Sequence, residues 1–377
     1  MGWQVWLTET TSGNVIEDLH PATGSRWADG PLNDGGETRT VLAWEDYRRV
    51  AEWAGTPFAA AIVPLWNGTP VAWSPITKPP EQTTAFGPVA LTGGSIWDLL
   101  AKRLVTVKDF GQHHGDELRR SAVTISDRNL GGIVQEILRL AQQRPNGALP
   151  LTFGSDPETG TAKRTRTYEG FNIANISAAK LIREITQVIN GPDVRFRPVL
   201  RPGRRVGLVV EHGIETQPVI AQHNLPAIDL TAPRPETGAP KLSAEWSPLN
   251  RLYASGAGEG AGTLISPVDS TSLLASGRGT WLEDVWSDTD TENWDLLDEK
   301  AKGRLEASRH KTVQLSVLLP NDTPTTPLNS IRLGDRVRVR WPDGWVNLTS
   351  GVYEMTVLKI SGDYTSTYTI EFQSQEV

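Results

Sequence analysis

The segment from Tyr168 to Phe196 constrains the fold more than any other part of the chain. Ser177 stands where a helix N-cap belongs, and Ala178, Leu181, Ile182, Ile185, Val188 and Ile189 follow at the spacing of one buried helical face. Asn190, Gly191 and Pro192 stop that helix, because Gly191 suits the left-handed closing position and Pro192 cannot continue a helical turn. Val194, Phe196 and Val199 then restart at strand period. A stretch that changes period twice specifies an α+β unit. It holds no nucleophile, base or metal ligand at a telling spacing.

On either side the strand period dominates. Residues 1 to about 92 read as mainly β: Trp3, Val5 and Leu7 alternate, Asn14–Leu19 is a second strand, and Phe58–Trp66 and Pro70–Trp73 flank the turn Asn67-Gly68. A small barrel or sandwich follows, closed by a helix capped at Ser95 with Asp98 three residues on. A helix starting at Ser126 or Asp127 carries Leu130, Ile133, Val134, Ile137, Leu138 and Ala141 on one face, and Pro145-Asn146-Gly147 ends it. The polar run Gly154–Arg166 reads as a hairpin or mobile loop. Strands Val194–Leu200 and Val206–Glu211 make a hairpin through Arg201-Pro202-Gly203, with Arg204 and Arg205 at its rim.

Pro233, Pro235, Gly238 and Pro240 mark a linker. Beyond it come the strand Asn250–Ala254, a glycine-rich turn, and a long helix capped by Asp290 with Trp294, Leu297, Ala301 and Leu305 on its face. Val313–Leu319, Asp335–Trp341, Tyr353–Ile360 and Tyr368–Phe372 alternate as a second small antiparallel barrel. The organisation is therefore an N-terminal β-barrel with its closing helix (1–104), an α+β insert (105–231), a linker (232–241), a strand, Gly-rich loop and long helix (242–310), and a C-terminal β-barrel (311–377). Two strand-rich ends, each beside a capped helix, point to a structural duplication.

Composition removes several function classes. The formal net charge of −7 argues against a general affinity for nucleic acid or anionic membrane. The absence of cysteine removes disulfides, thiol nucleophiles and cysteine-ligated zinc. No run of apolar residues is long enough for a transmembrane helix, and Met1–Leu7 reads as a first strand, not as a signal sequence. Fourteen tryptophans raise the possibility of sugar stacking, but Trp6, Trp97, Trp246, Trp341 and Trp345 lie in apolar patterns that fit a core or subunit interface.

Four constellations invite a chemical reading. Gly256, Gly258, Gly260 and Gly262 approach a dinucleotide fingerprint, but a fingerprint must open into a helix and Thr263-Leu264-Ile265 leads to Pro267; a flexible loop over a subunit boundary or channel fits better. His113, His114, Asp116 and Glu117 have ligand chemistry but no completing group at a helix or hairpin spacing, so they read as an exposed polar turn. The acids between Asp284 and Glu299 fall at and after a helix start, where the dipole stabilises them. Lys163, Arg164 and Arg166, like Arg201, Arg204 and Arg205, lack interleaved aromatics and read as solvated hairpins or as ion pairs to a neighbouring subunit.

The chain as a whole resembles the minor tail proteins of long-tailed phages of actinobacteria, of the baseplate or tail-tip hub type. The stretches that carry the resemblance are Trp3-Gln4-Val5-Trp6-Leu7 with Gly13-Asn14-Val15-Ile16, Leu91 to Leu100, Asn190 to Phe196, Asn250 to Gly256, and Leu333 to Val339, in that order. The resemblance implies a mainly β fold with α+β inserts: two tube-like β-barrels and helix-containing insert domains. It implies a virion structural protein at the distal end of the phage tail, made in the host cytoplasm, with no catalytic, cofactor-binding or metal-ligating residues. The expected assembly is a homotrimer whose six barrels match the hexameric ring of a distal tail protein, adapt sixfold to threefold symmetry and gate genome ejection. Contact with the tape measure protein and transient passage of DNA, without stable nucleic-acid binding, belong to the same picture. Arg201, Arg204 and Arg205 with Gly256, Gly258, Gly260 and Gly262 are its candidate contact or gating elements. Two alternatives stand beside it: a carbohydrate-binding or cell-wall-degrading tail protein, and a hexameric tail adaptor ring.

Overall fold

The computed structural model describes residues 2–154, 163–214, 216–231, 239–271, 279–324 and 326–375. Much of the polar run expected as a hairpin or loop, and most of the proline-rich linker, lie outside these residues. The fold is mainly β, with several sheets and few helices.

The N-terminal strands form two sheets. Val15–Leu19, Trp3–Glu9, Ala60–Trp66 and Thr69–Pro70 pair in that order, with Ser74–Pro75 also on Ala60–Trp66; Thr38–Leu42, Val89–Gly93 and Glu81–Gln82 make the other sheet. Backbone hydrogen bonds join the sheets at both margins. Ala22 and Arg26 donate to Val41 and Arg39, both at 2.7 Å, while Thr77 donates to Thr92 at 3.0 Å and Gly94 to Pro75 at 2.9 Å. The strand Ala60–Trp66 is buried throughout, which explains its unbroken apolar sequence AAIVPLW. Ala60 and Ile62 face the N-terminal core, and Ala61, Val63 and Leu65 face a second core outside it.

Helix α1 (Trp44–Ala54) closes one side of this unit, and α2 (Ile96–Leu100) begins with a complete capping box from Ser95 and Asp98. Sequence periodicity does not mark α1. Its N-cap is Ala43, with no side-chain cap, and within it only Val50 and Ala54 are buried, so its sequence lacks both signals that mark a helix.

The second core belongs to the first α+β unit. Helix α3 (Asp116–Arg120) replaces the exposed turn expected around the histidines, and α4 (Leu130–Leu140) is capped by Asn129, not by Ser126 or Asp127. Asp127 instead has a φ of 56° and breaks the regular register of the strand Val123–Arg128 against Arg164–Tyr168. Helix α5 (Ala178–Thr186) has the expected Ser177 cap but ends before Val188, so Val188 is buried from a turn and Ile189 is exposed. The hairpin Val194–Arg201 and Arg205–His212 pairs in full register, with Leu151–Phe153 added in parallel. His212 is buried in the groove left by Gly131 of α4, where a Cβ would approach its ring to 2.3 Å.

The C-terminal sheet runs in the order Ala227–Asp229, Arg336–Trp341, Gly351–Gly362, Thr367–Gln375, Thr312–Pro320, Lys241–Glu245. A seventh strand, Trp27–Asp29, pairs with Ile360–Gly362. The sheet therefore takes three strands from outside 311–377. Strict alternation along Thr312–Pro320 and Arg336–Trp341 buries one face over a core that includes Trp27, Trp66, Val71 and Ala72 from the N-terminal unit.

Between Glu245 and Thr312, which are paired neighbours in that sheet, the chain makes a second α+β unit. Strands Ile265–Asp269, Arg251–Ser255 and Glu283–Ser287 form its sheet, backed by α6 (Trp294–Ser308). The cap of α6 is Asn293, not Asp290, and Trp294 at the first helical position is exposed while Leu297, Ala301 and Leu305 are buried.

Candidate assembly surfaces and the cleft between the α+β units

The two elements singled out as contact candidates have different environments. The Arg201–Arg205 turn is docked on the N-terminal unit: Val15 donates to the Arg204 carbonyl at 3.0 Å and Val206 to the Gly13 carbonyl at 2.8 Å. Gly13 is required there, with a φ of 73° and a Cβ position only 1.9 Å from the Val206 oxygen. Arg204 donates to both Asp18 oxygens at 3.0 Å and lies over the Trp6 ring at 5.4 Å. Arg201 binds Thr152, and exposed Arg205 donates to the Pro202 carbonyl at 3.1 Å.

The glycine-rich turn is a hydrogen-bonded structure and not a slack loop. Gly256 and Leu264 close its base at 2.8 Å, Leu264 donates back to Ala257 at 3.0 Å, and Ala257 donates to Thr291 at 2.9 Å. A Cβ at Gly256 would meet the Thr291 carbonyl at 2.8 Å, and Gly258 has a φ of 120°, whereas Gly260 and Gly262 face open space. Only the tip is free to touch anything else.

Lys163, Arg164 and Arg166, read as a solvated hairpin or as ion pairs to a neighbouring subunit, find partners within the chain. Lys163 pairs with Asp127 at 2.7 Å, and Arg164 and Arg166 both reach Glu299 of α6, at 3.1 and 3.6 Å. The acids between Asp284 and Glu299 are likewise more than a helix start. Asp295 alone lies in the first turn of α6. Asp290 accepts from Asn175 at 2.8 Å and pairs with Lys180, and Asp288 pairs with the buried Lys300 at 2.7 Å. Burial pushes the Asp288 carboxyl up, but the hydrogen bond and charge of Lys300 outweigh it and hold the group below its ordinary value.

These pairs line a seam between the two α+β units. A cavity of about 250 Å³ lies on one side, walled by Phe171, Ile176, Leu296, Tyr168, Glu184 and Asp290 among others. Burial raises the Glu184 carboxyl, because its nearest cation, Lys300 at 3.9 Å, is already engaged by Asp288. A second gap of about 710 Å³ opens on the other side, between Gln187–Gly191 and the last turns of α6.

A third junction ties the first α+β unit to the C-terminal sheet. Arg195, nearly buried, donates to Glu211 at 2.7 Å, to the Leu333 carbonyl at 2.8 Å and to Asp335 at 2.7 Å. The segment after the Trp27 strand threads past it, with Asn33 donating to Asp193 at 3.0 Å and accepting from the Val194 N–H at 2.8 Å. Desolvation here pushes the Asp29 carboxyl up to about 7, against the pull of Arg332 and Arg195.

Elsewhere the chemistry stays dispersed. His113 lies 3.9 Å from Glu117 and edge-on to Phe110, and among the described residues no three side chains of metal-ligating type converge. No described helix is long and apolar enough to cross a membrane. Trp97 and Trp341 are buried as their patterns require, but Trp246 is exposed.

No protein-family model matches the chain, and no curated protein matches its sequence. Solved structures do match its fold. A tail protein from Neisseria meningitidis superposes with a TM-score of 0.54 at 12% identity, covering 99% of this chain and 97% of that one. The 43 kDa tail protein of prophage MuSo2 from Shewanella oneidensis gives 0.53 at 11% identity over 98% and 97%. The prophage tail protein gp18 from Listeria monocytogenes gives 0.50 at 14% identity over 98% and 94%. From its first strand to its last, the chain has the fold of these tail proteins.

Proposed function

We propose that this protein is a structural minor tail protein, the hub that closes the distal end of a phage tail tube. The observation that carries the reading is the likeness to prophage tail proteins along almost the whole of both chains. In this reading three copies bring six strand-rich ends to the hexameric ring of a distal tail protein. Sixfold symmetry above is thereby adapted to threefold below, and the closed ring gates DNA ejection. The host is an actinobacterium, and the protein works without enzymatic activity or cofactor. Exposed Arg205 and the open tip at Gly260 and Gly262 are contact elements toward neighbouring copies, the distal ring or the tape measure protein. Arg204, held by Asp18, stiffens the turn that presents Arg205.

Counting copies in electron micrographs of the tail tip, together with native mass spectrometry of the purified protein, tests this directly. Three copies per tip is the expected result. Six per ring would assign an adaptor ring, and a monomer that binds or cleaves cell-wall glycan would replace the proposal with the carbohydrate reading.

A further inference from the structure

The second α+β unit is attached to the rest of the molecule in an unusual way. It leaves the C-terminal sheet after Glu245 and returns at Thr312, and these residues are direct partners in the ladder, so its two connections run side by side. Its core of Leu252, Ala254, Val268, Leu297, Ala301 and Leu305 is separate from the larger cores on either side. Leu296 reaches across to the core of the first α+β unit, but most of what holds the two units together is polar. The contacts are Asp290 with Lys180 and Asn175, Glu299 with Arg164 and Arg166, and Lys300 with Glu184.

The contact is also narrow. The 250 and 710 Å³ gaps flank it, and between them α6 touches the backbone after α5 through a glycine. A Cβ at Gly303 would lie 3.0 Å from the Gln187 carbonyl and 3.2 Å from the Ile189 nitrogen. A fixed domain interface of this extent would be filled by interlocking apolar side chains. Here a bare backbone contact serves as a bearing, and partly exposed ion pairs sit beside it.

We propose that the strands Arg251–Ser255, Ile265–Asp269 and Glu283–Ser287 with α6 are a hinged arm, latched on the first α+β unit by these ion pairs and able to swing about the paired connections at Glu245 and Thr312. The arm is independent of the copy number of the assembly and of any role in a tail. Opening separates charges that water can take up, at a cost set by a few partly exposed pairs, each worth roughly a 1.4- to 5-fold change in the open population. Opening also joins the two gaps into one cleft bearing Glu184, Asp290 and Phe171.

Because the chain has no cysteine of its own, two introduced cysteines label it uniquely. Ser126→Cys on the first unit and Val285→Cys on the arm are both exposed, and pulsed EPR between spin labels there reads the angle of the arm. The expected result is one dominant distance at low salt and a growing longer distance at about 1 M salt, where charges are screened beyond about 3 Å. The pair Asp290→Asn and Glu299→Gln in the same labelled protein should raise the long-distance fraction about 2-fold or more at low salt, with the circular dichroism spectrum unchanged. A single distance that neither salt nor the substitutions move would show a rigid unit and overturn the proposal. The salt titration on the unsubstituted latch decides the matter even if the double variant fails to fold.

Discussion

Two seams in this molecule join their units by opposite means. Between the N-terminal unit and the C-terminal sheet, Trp3 lies 5.6 Å from Trp27, 5.1 Å from Trp66 and 5.3 Å from Tyr364, and its indole N–H donates to the Thr365 carbonyl at 2.7 Å. Between the two α+β units, carboxylates meet lysine and arginine with water-accessible gaps on either side. The first seam shares one apolar core and fixes its geometry regardless of solvent. The second depends on charges that salt and protons can weaken. Burial, more than the number of contacts, separates a permanent joint from a reversible one.

The strongest way to break this contrast is Trp27→Ala. The side chain is almost fully buried, so equilibrium urea unfolding should show a loss of about 3 to 5 kcal/mol. A loss under about 1 kcal/mol would mean the aromatic seam is ornamental. Next comes Arg195→Ala, which takes the ion-pair partner from the partly buried Asp335 and leaves Glu211 with Arg197, and should cost about 3 kcal/mol. That loss should persist in high salt, because the pair is shielded from solvent; a salt-sensitive loss would place this junction with the ionic seam.

Asp29 sharpens the comparison by pH. Its carboxyl is raised to about 7 in the fold, so between about pH 4 and 7 the native state holds a proton that the unfolded chain has released. Stability must fall as pH rises through that window, by up to about 1.4 kcal/mol per pH unit from this group alone. Asp29→Asn should flatten the profile relative to the unsubstituted protein, and parallel profiles would refute the assignment. Arg332 and Arg195 face this position in both proteins. The smallest effect belongs to Lys180→Ala. Its pair with Asp290 is about one-third exposed on both sides, so thermal unfolding should register less than about 1 kcal/mol, vanishing near 1 M salt.

How much of this was legible in the sequence depended on distance along the chain. The Val194–His212 hairpin could be read in full because its alternation and its Arg201-Pro202-Gly203 turn are local, and Gly203 and Arg204 take the positive φ values the turn needs. The mainly β class with α+β inserts followed from the same local periods. The three-residue strand Trp27–Asp29 could not be read, since so short a run has no measurable period and its partner lies beyond residue 359. The caps of α6 and α4 are Asn293 and Asn129 and not Asp290 and Ser126 or Asp127, because several capping residue types precede each helix and only geometry selects among them. The carboxylates of the ionic seam were visible as residue types, but nothing local ties Glu299 to Arg164 or Asp290 to Lys180.

The Trp27 strand also sets an order of events during synthesis. Its partner Gly362 and the Thr365 carbonyl that receives the Trp3 indole are translated long after it, and the Trp3 bond spans 362 positions. Until then the nascent chain carries Trp3, Trp27 and Trp66 without the sheet that covers them. Loop closure over such a span is slow, and exposed indoles invite wrong partners while it is pending. The ribosome must therefore pass Thr365 before Trp3 and Trp27 reach their final environment, which makes the waiting interval, not the final stability, the point at which a stalled product would aggregate.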